Sequence, residues 1–242
     1  MSSPAPLRKP KPFVIGITGG IGCGKSTVAA LFREWGLEVL DADAMSHALT
    51  AAGGAAVDEV ALAFGEDMRA SDGGIDRRKL AALVFRDKNA IDRLSSIIHR
   101  HVIAGLINGV ADAGRRGLGA ICLDVPIPVR EGFLDLTDYV VVVWASEDVR
   151  LERLAARGME PAEARRRIRM QMTEEEYSSL ASTVLRNDGD KDELRELVDG
   201  IVRDQLHARG IRLLRAEPVG GAADLGDQGD IQGDDVDHRP LK

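Results

Sequence analysis

Gly19-Gly20-Ile21-Gly22-Cys23-Gly24-Lys25-Ser26-Thr27 follows the apolar run Phe13-Val14-Ile15-Gly16-Ile17 and leads into a helical pattern from Val28 to Trp35. It matches G-x-x-x-x-G-K-[ST] in the strand, loop, helix context the motif requires, and so reads as a phosphate-binding loop. Its glycines admit backbone conformations closed to other residues, letting successive N–H groups turn inward around an anion at a helix N-terminus. Lys25 then reaches the β- and γ-phosphates of a nucleoside triphosphate, and the Ser26 hydroxyl is placed to bind Mg²⁺.

Beyond the loop, Gly36 is a good helix stop, and Leu37-Glu38-Val39-Leu40 reads as a short strand closed by Asp41-Ala42-Asp43. Carboxylates there fall at the C-terminal edge of a sheet, where open α/β folds bind ligands. Asp43 is the candidate group for orienting or deprotonating an acceptor hydroxyl, the alternative being an N-cap for a helix starting at Ala44. Residues 44–117 are helix-patterned and strand-poor, too long for a simple crossover, and predict a helical insertion that holds a second substrate. Arg77, Arg78 and Lys79 follow a Gly-rich turn within it, as phosphate contacts or as solvated helix charges.

Gly119 to Pro126 resumes the sheet, and Asp124 near its end resembles the Walker B acid that holds Mg²⁺ directly or through water, a strand-end cap being the alternative. Tyr139–Val143 and Thr183–Arg186 are further strands, the last leading into Asn187-Asp188-Gly189. Between them, Glu147 to Tyr177 is an arginine-rich helical stretch with Gly158 as a hinge before Pro161. Arg153 and Arg157, four apart, share a helix face. Such a pair suits a lid over transferring phosphate, although charged helices are commonly just solvated. Helix spacing recurs over Leu194–Leu206. The alternation predicts an α/β fold of the P-loop NTPase type: a parallel sheet with helices on both faces, a helical insertion at about 44–117 and a helical lid at about 147–177.

The 242 residues suffice for a large core, and their flanks differ in charge. Arg8, Lys9 and Lys11 put +3 in residues 1–12, a proline-bearing arm; seven acids against Arg239 and Lys242 leave −5 in residues 216–242. The Gly- and Asp-rich stretch 215–242 reads as a disordered acidic tail, which leaves 13–214 as the folded domain. A net charge of −7 argues against binding nucleic acid by charge, and no apolar run is long enough to span a bilayer. Two cysteines, Cys23 and Cys122, make no disulfide framework and point to the cytoplasm. Cys23, at a helix N-terminus, reads as a thiol of lowered pKa or simply as a small loop residue.

A phosphate loop leaves the reaction open between a small-molecule kinase and a nucleotide switch or motor. The N-K-x-D base-reading signature and an LSGGQ-like signature are both absent, and the insertion and arginine-rich stretch favour a kinase. The ordered motifs resemble the dephospho-coenzyme A kinase family. They are Ile17 to Thr27, Asp41-Ala42-Asp43, Asp72-Gly73-Gly74-Ile75-Asp76-Arg77 with Leu80 and Val84-Phe85, Ile98-His99, Asp124-Val125-Pro126, Arg153 with Arg157, Gln171, and Asn187-Asp188-Gly189. The resemblance implies MgATP-dependent phosphorylation of the ribose 3′-hydroxyl of dephospho-coenzyme A. It puts Asp43 at the catalytic base, Lys25, Arg153 and Arg157 on the ATP phosphates, and Asn187 near the adenine. Thr18, Asp43, Arg77 and His99 then frame the acceptor. The chain departs from the family pattern at Arg100, Pro128 and Arg130, and has Arg150 where glutamine is common; the first three bear on acceptor geometry.

Overall fold

The computed structural model describes residues 11–84 and 87–215. Phe85, most of the N-terminal arm and the acidic tail from 216 onward lie outside the described residues. Five strands form one parallel sheet: β1 (Phe13–Thr18), β2 (Val39–Asp41), β3 (Ala120–Asp124), β4 (Tyr139–Trp144) and β5 (Thr183–Arg186), in the order β2-β3-β1-β4-β5. β1 and β3 read as continuous apolar runs because both their faces are covered; Val14, Ile15, Ile17, Ile121 and Leu123 are fully buried. The expected parallel sheet with helices on both sides is what the chain forms.

Register positions the chemistry. Ile17 pairs with Asp124, and Asp41 with the same Asp124, so the carboxylates ending β2 and β3 stand in one row beside the loop leaving β1. That loop feeds α1 (Lys25–Glu34), whose Val28, Ala29, Leu31 and Phe32 are buried.

The β2 strand is shorter than its sequence suggests: Leu37 and Glu38 stay outside the ladder, the pairing runs over Val39–Asp41, and α2 (Ala42–Thr50) begins immediately after. The cap is Asp41, whose carboxylate accepts from Ala44 N at 3.0 Å, and not Asp43. Asp43 falls instead in the first turn of α2, exposed. The two acids are two residues apart, and the backbone, extended at Asp41, decides between them.

The long segment between β2 and β3 is helical: α2, α3 (Val57–Phe64), α4 (Arg77–Val84) and α5 (Lys88–Arg116). It carries a second apolar cluster of its own, including Val57, Val60, Met68, Leu80 and Ile97, separate from the core around the sheet. Between β4 and β5 lie α6 (Glu147–Ala156), α7 (Pro161–Arg169) and α8 (Glu174–Leu180). Pro161 opens α7 where its missing N–H costs nothing, and the Glu160 carboxylate caps it. α9 (Lys191–Ile201) follows an Asp190 cap and continues through a wider turn over Val202–Leu206. Arg215, at the end of the described chain, lies over the Trp35 ring and pairs with Glu34 and Asp199. Among the described residues no helix is long and apolar enough to cross a membrane.

Candidate active site

The loop Gly19–Gly24 leaves the C-terminal end of β1 and turns into α1 at Gly24, which has φ 89°. A Cβ there would lie 2.1 Å from the Asn187 amide nitrogen, so both the dihedral and the close approach require glycine. Among the described residues the backbone N–H groups of Gly22, Gly24, Lys25 and Ser26 have no hydrogen-bond partner, while Cys23 N is used in a turn to Gly20 O. Unsatisfied amides at a helix N-terminus make an anion site.

Lys25 points to the row of carboxylates and makes an ion pair with Asp124. Burial pushes the Asp124 carboxyl above the usual carboxylate range; Lys25 pulls it down, and neighbouring Asp41 and Asp43 push it up again. Three acids and one lysine therefore share the edge of the sheet, with the Ser26 hydroxyl exposed nearby at the start of α1.

Beside this edge a cleft of ≈ 760 Å³ opens between α2, α5 and the segment after β3. Asp43, Ser46 and His99 line it, and Val102, Ile103, Leu106 and Phe133 give it an apolar wall. The structure thus brings Asp43 and His99 into one cavity. Thr18 ends β1 fully buried, and its hydroxyl has no hydrogen-bond partner among the described residues. Arg77 is not in the cleft wall; its guanidinium holds His47 on α2, at 2.5 Å to Nδ1 and 2.6 Å to the carbonyl.

The departures from the family pattern find separate places. Arg100 pairs with Glu59 of α3 on the outer side of α5. Pro128 and Arg130 do not line the cleft, whereas Glu131, one residue on, does. A carboxylate therefore stands at the cleft next in sequence to the cation Arg130.

On the other side of the loop, Asn187 is buried and donates from Nδ2 to Cys23 O at 2.8 Å. Arg153 reaches Gly22 O and the Asn187 side-chain oxygen, each at 3.4 Å. Arg157, at the end of α6, is exposed and makes no side-chain hydrogen bond among the described residues. Arg150 and Gln171 also touch the loop: Arg150 Nε donates to Ile21 O at 2.8 Å, and Gln171 Oε1 accepts from Ile21 N at 2.8 Å. Arg150 is buried and not a solvated charge. It sits four residues before buried Leu154, a spacing that puts it on the inner face of α6. Cys23 is buried, which raises its thiol pKa despite Arg150 and Arg153 nearby, so the reading of a lowered pKa does not hold.

Residues 13–193 match the family model described as dephospho-CoA kinase. The chain belongs to the dephospho-CoA kinase family. It is 40% identical over 207 residues to the dephospho-CoA kinase of Anaeromyxobacter dehalogenans, covering 85% of this chain and 98% of that one. It is 37% identical over 185 residues to the Corynebacterium diphtheriae enzyme of the same name, covering 76% and 92%. Among solved structures, TT1252 from Thermus thermophilus superposes with a TM-score of 0.67 at 33% identity, covering 81% of this chain and 99% of that one. The Campylobacter jejuni dephospho-CoA kinase, at 20% identity and TM-score 0.59 over 81% and 98%, shares the fold. The loop Gly19–Gly24, Asp43, His99, Arg153 and Arg157 all fall inside the matched span of the family.

Proposed function

We propose that this chain transfers the γ-phosphoryl group of ATP to the ribose 3′-hydroxyl of dephospho-coenzyme A, giving coenzyme A and ADP, the final step of coenzyme A synthesis. The observation that supports it best is that Asp43, which lines the ≈ 760 Å³ cleft, also lies close enough to the Lys25–Asp124 pair to act on the Asp124 carboxyl, in a chain of this family.

The loop amides and Lys25 receive the β- and γ-phosphates, so Lys25 exchanges its Asp124 partner for phosphate oxygen as ATP enters. The acceptor occupies the cleft with its ribose toward Asp43 and with His99 at the cleft wall, whereas Thr18, fully buried at the end of β1, does not touch it. Arg77 acts on this side through its hold on His47 and α2. Asp43 accepts the proton of the 3′-hydroxyl as that oxygen bonds to the γ-phosphorus and the bond to the β-phosphate oxygen breaks. Arg153 and Arg157 neutralise the charge on the transferring group when the lid formed by α6 and α7 closes over it, and Asn187 lies beside the adenine. Little covalent work falls to the protein, so positioning dominates.

The Ser26 hydroxyl and the Asp124 carboxylate are hard oxygen donors that fit Mg²⁺, and a cation relieves the repulsion among Asp41, Asp43 and Asp124. Bound there, Mg²⁺ would neutralise negative charge on the triphosphate. The reaction belongs to the cytoplasm, in keeping with two free, buried cysteines. Domain limits of 13–214, with the insertion as acceptor holder and 147–177 as lid, are part of the same proposal.

The test is ADP release with MgATP, comparing dephospho-coenzyme A with nucleosides and nucleotides that lack its pantetheine arm. Turnover that depends on dephospho-coenzyme A is the expected result; turnover only with another acceptor would make the chain a divergent kinase.

A further inference from the structure

We propose that Arg150 and Gln171 form a latch that holds the phosphate loop in its anion-receiving shape and ties both ends of the lid to it. The idea rests on the ATP-binding half of the function above and not on the identity of the acceptor.

Arg150 is 3% exposed and lies in the first turn of α6; Gln171 follows the last turn of α7. Arg150 Nε donates to Ile21 O at 2.8 Å, and its terminal nitrogen donates to Gln171 Oε1 at 2.9 Å. The same Gln171 oxygen accepts from Ile21 N at 2.8 Å. The carbonyl and the N–H of Ile21 are thus both engaged, within a closed ring of three hydrogen bonds.

The consequence for the loop follows from peptide geometry. A trans peptide is planar, with C=O and the next N–H pointing in opposite directions. Fixing Ile21 C=O outward on Arg150 therefore aims Gly22 N–H at the opposite, anion-receiving side, where it has no protein partner among the described residues. Gly20 leaves room for the latch: a Cβ there would meet the Arg150 terminal nitrogen at 2.7 Å and Gln171 Oε1 at 2.9 Å.

Charge points the same way. Among the described residues the partners of Arg150 are all uncharged: the Ile21 carbonyl, the Gln171 side-chain oxygen and the Trp144 ring face 5.0 Å from its guanidinium carbon. A buried, uncompensated cation is costly, and it favours whatever anion settles in the adjoining loop. Arg150 is a positioning residue: it acts through Ile21 and Gly22 and not by touching the phosphates.

The experiment is titration of MgATP, without acceptor, into the full-length protein and its Arg150→Ala, Arg150→Lys, Gln171→Ala and double-alanine variants. Each alanine variant should weaken binding by about tenfold, the scale of one charged hydrogen bond. The double variant should be within about threefold of the weaker single, because either removal opens the same ring. Arg150→Lys should recover little, since an ammonium lacks the planar fork that meets two acceptors at once. The KM for dephospho-coenzyme A should stay unchanged.

Losses that multiply in the double variant, full rescue by lysine, or wild-type affinity with only a lowered Tm would each overturn the latch. Should Arg150→Ala fail to fold, half-buried Gln171 carries the test alone, with the same tenfold loss expected and unchanged ATP affinity as the contrary result. Failure of the wild-type protein to bind ATP would count instead against the proposed function.

Discussion

The side-chain amide of Asn187 donates to the backbone carbonyl of Cys23 at 2.8 Å, so the turn after β5 holds the loop that leaves β1. The bond is buried, and Asn187 N is itself held by Trp144 O at 2.8 Å, at the end of the intervening strand β4. Replacing Asn187 by alanine strands the Cys23 carbonyl in a dry site. Such a loss costs about 1–3 kcal/mol, or roughly 2–12 °C in Tm for a chain of this size. Thermal unfolding of Asn187→Ala should show that drop, together with an ATP affinity weakened by about tenfold. A variant with unchanged Tm would mean that the carbonyl finds another partner.

Gly24 is the tightest point of the same arrangement. An alanine methyl would meet the Asn187 amide at 2.1 Å, on a backbone with φ 89°. Strain of this kind costs on the order of 1–3 kcal/mol before the displaced amide is counted. Gly24→Ala should therefore lose ATP binding by about a hundredfold while circular dichroism still reports a folded protein. Measurable ATP binding within a few-fold of wild type would contradict the close contact.

Asp124 gives the folded protein a pH-dependent stability. Its carboxyl pKa is raised in the folded protein above 3.8, first by burial, so between 3.8 and the folded value the native state binds more protons than the unfolded chain. Stability from this group is fully present below 3.8 and falls as pH rises through the folded pKa. Asp124→Asn removes the titration. Its urea midpoint, plotted against pH in the weakly acidic range, should lack the downward component that the wild type shows. Parallel profiles for the two proteins would show that Lys25 compensates for burial more fully than the structure indicates.

The two thiols offer a simpler check. Burial raises the pKa of Cys23 and of Cys122, so little thiolate exists in the folded protein at neutral pH. Neither should react with a thiol reagent at pH 7 until denaturant is added, when both should. Rapid labelling of Cys23 in the native state would restore a reactive role for it. Addition of MgATP should not raise the rate.

What was legible in the sequence was mostly local. The phosphate loop could be read because glycine spacing, a preceding apolar run and a following helix pattern all lie within about two dozen residues of chain. The sheet order was not readable in that way, since it depends on Asp124 pairing at once with Ile17 and Asp41, from segments far apart in the chain. The N-cap that the sequence allows at Asp43, as the alternative to a role on the acceptor hydroxyl, lies two residues earlier at Asp41, because the two acids offer the same side chain and the extended backbone at Asp41 decides between them. Arg150 reads as one more solvated charge until α6 is seen to pack its inner face on the loop. Glu131 was hidden behind Arg130, since a kinked turn with Gly132 at φ 81° decides which of the two reaches the cleft.

In the proposed reaction Asp43 takes the acceptor's proton and contributes little to holding ATP. Single-turnover phosphoryl transfer to dephospho-coenzyme A, with mass analysis locating the new phosphate, should be measured for the wild type and for Asp43→Ala alongside ATP titration. The account predicts coenzyme A as the wild-type product, and in the variant a transfer rate lower by about a hundredfold or more with ATP affinity changed by no more than a few-fold. Transfer at the wild-type rate in Asp43→Ala would contradict it.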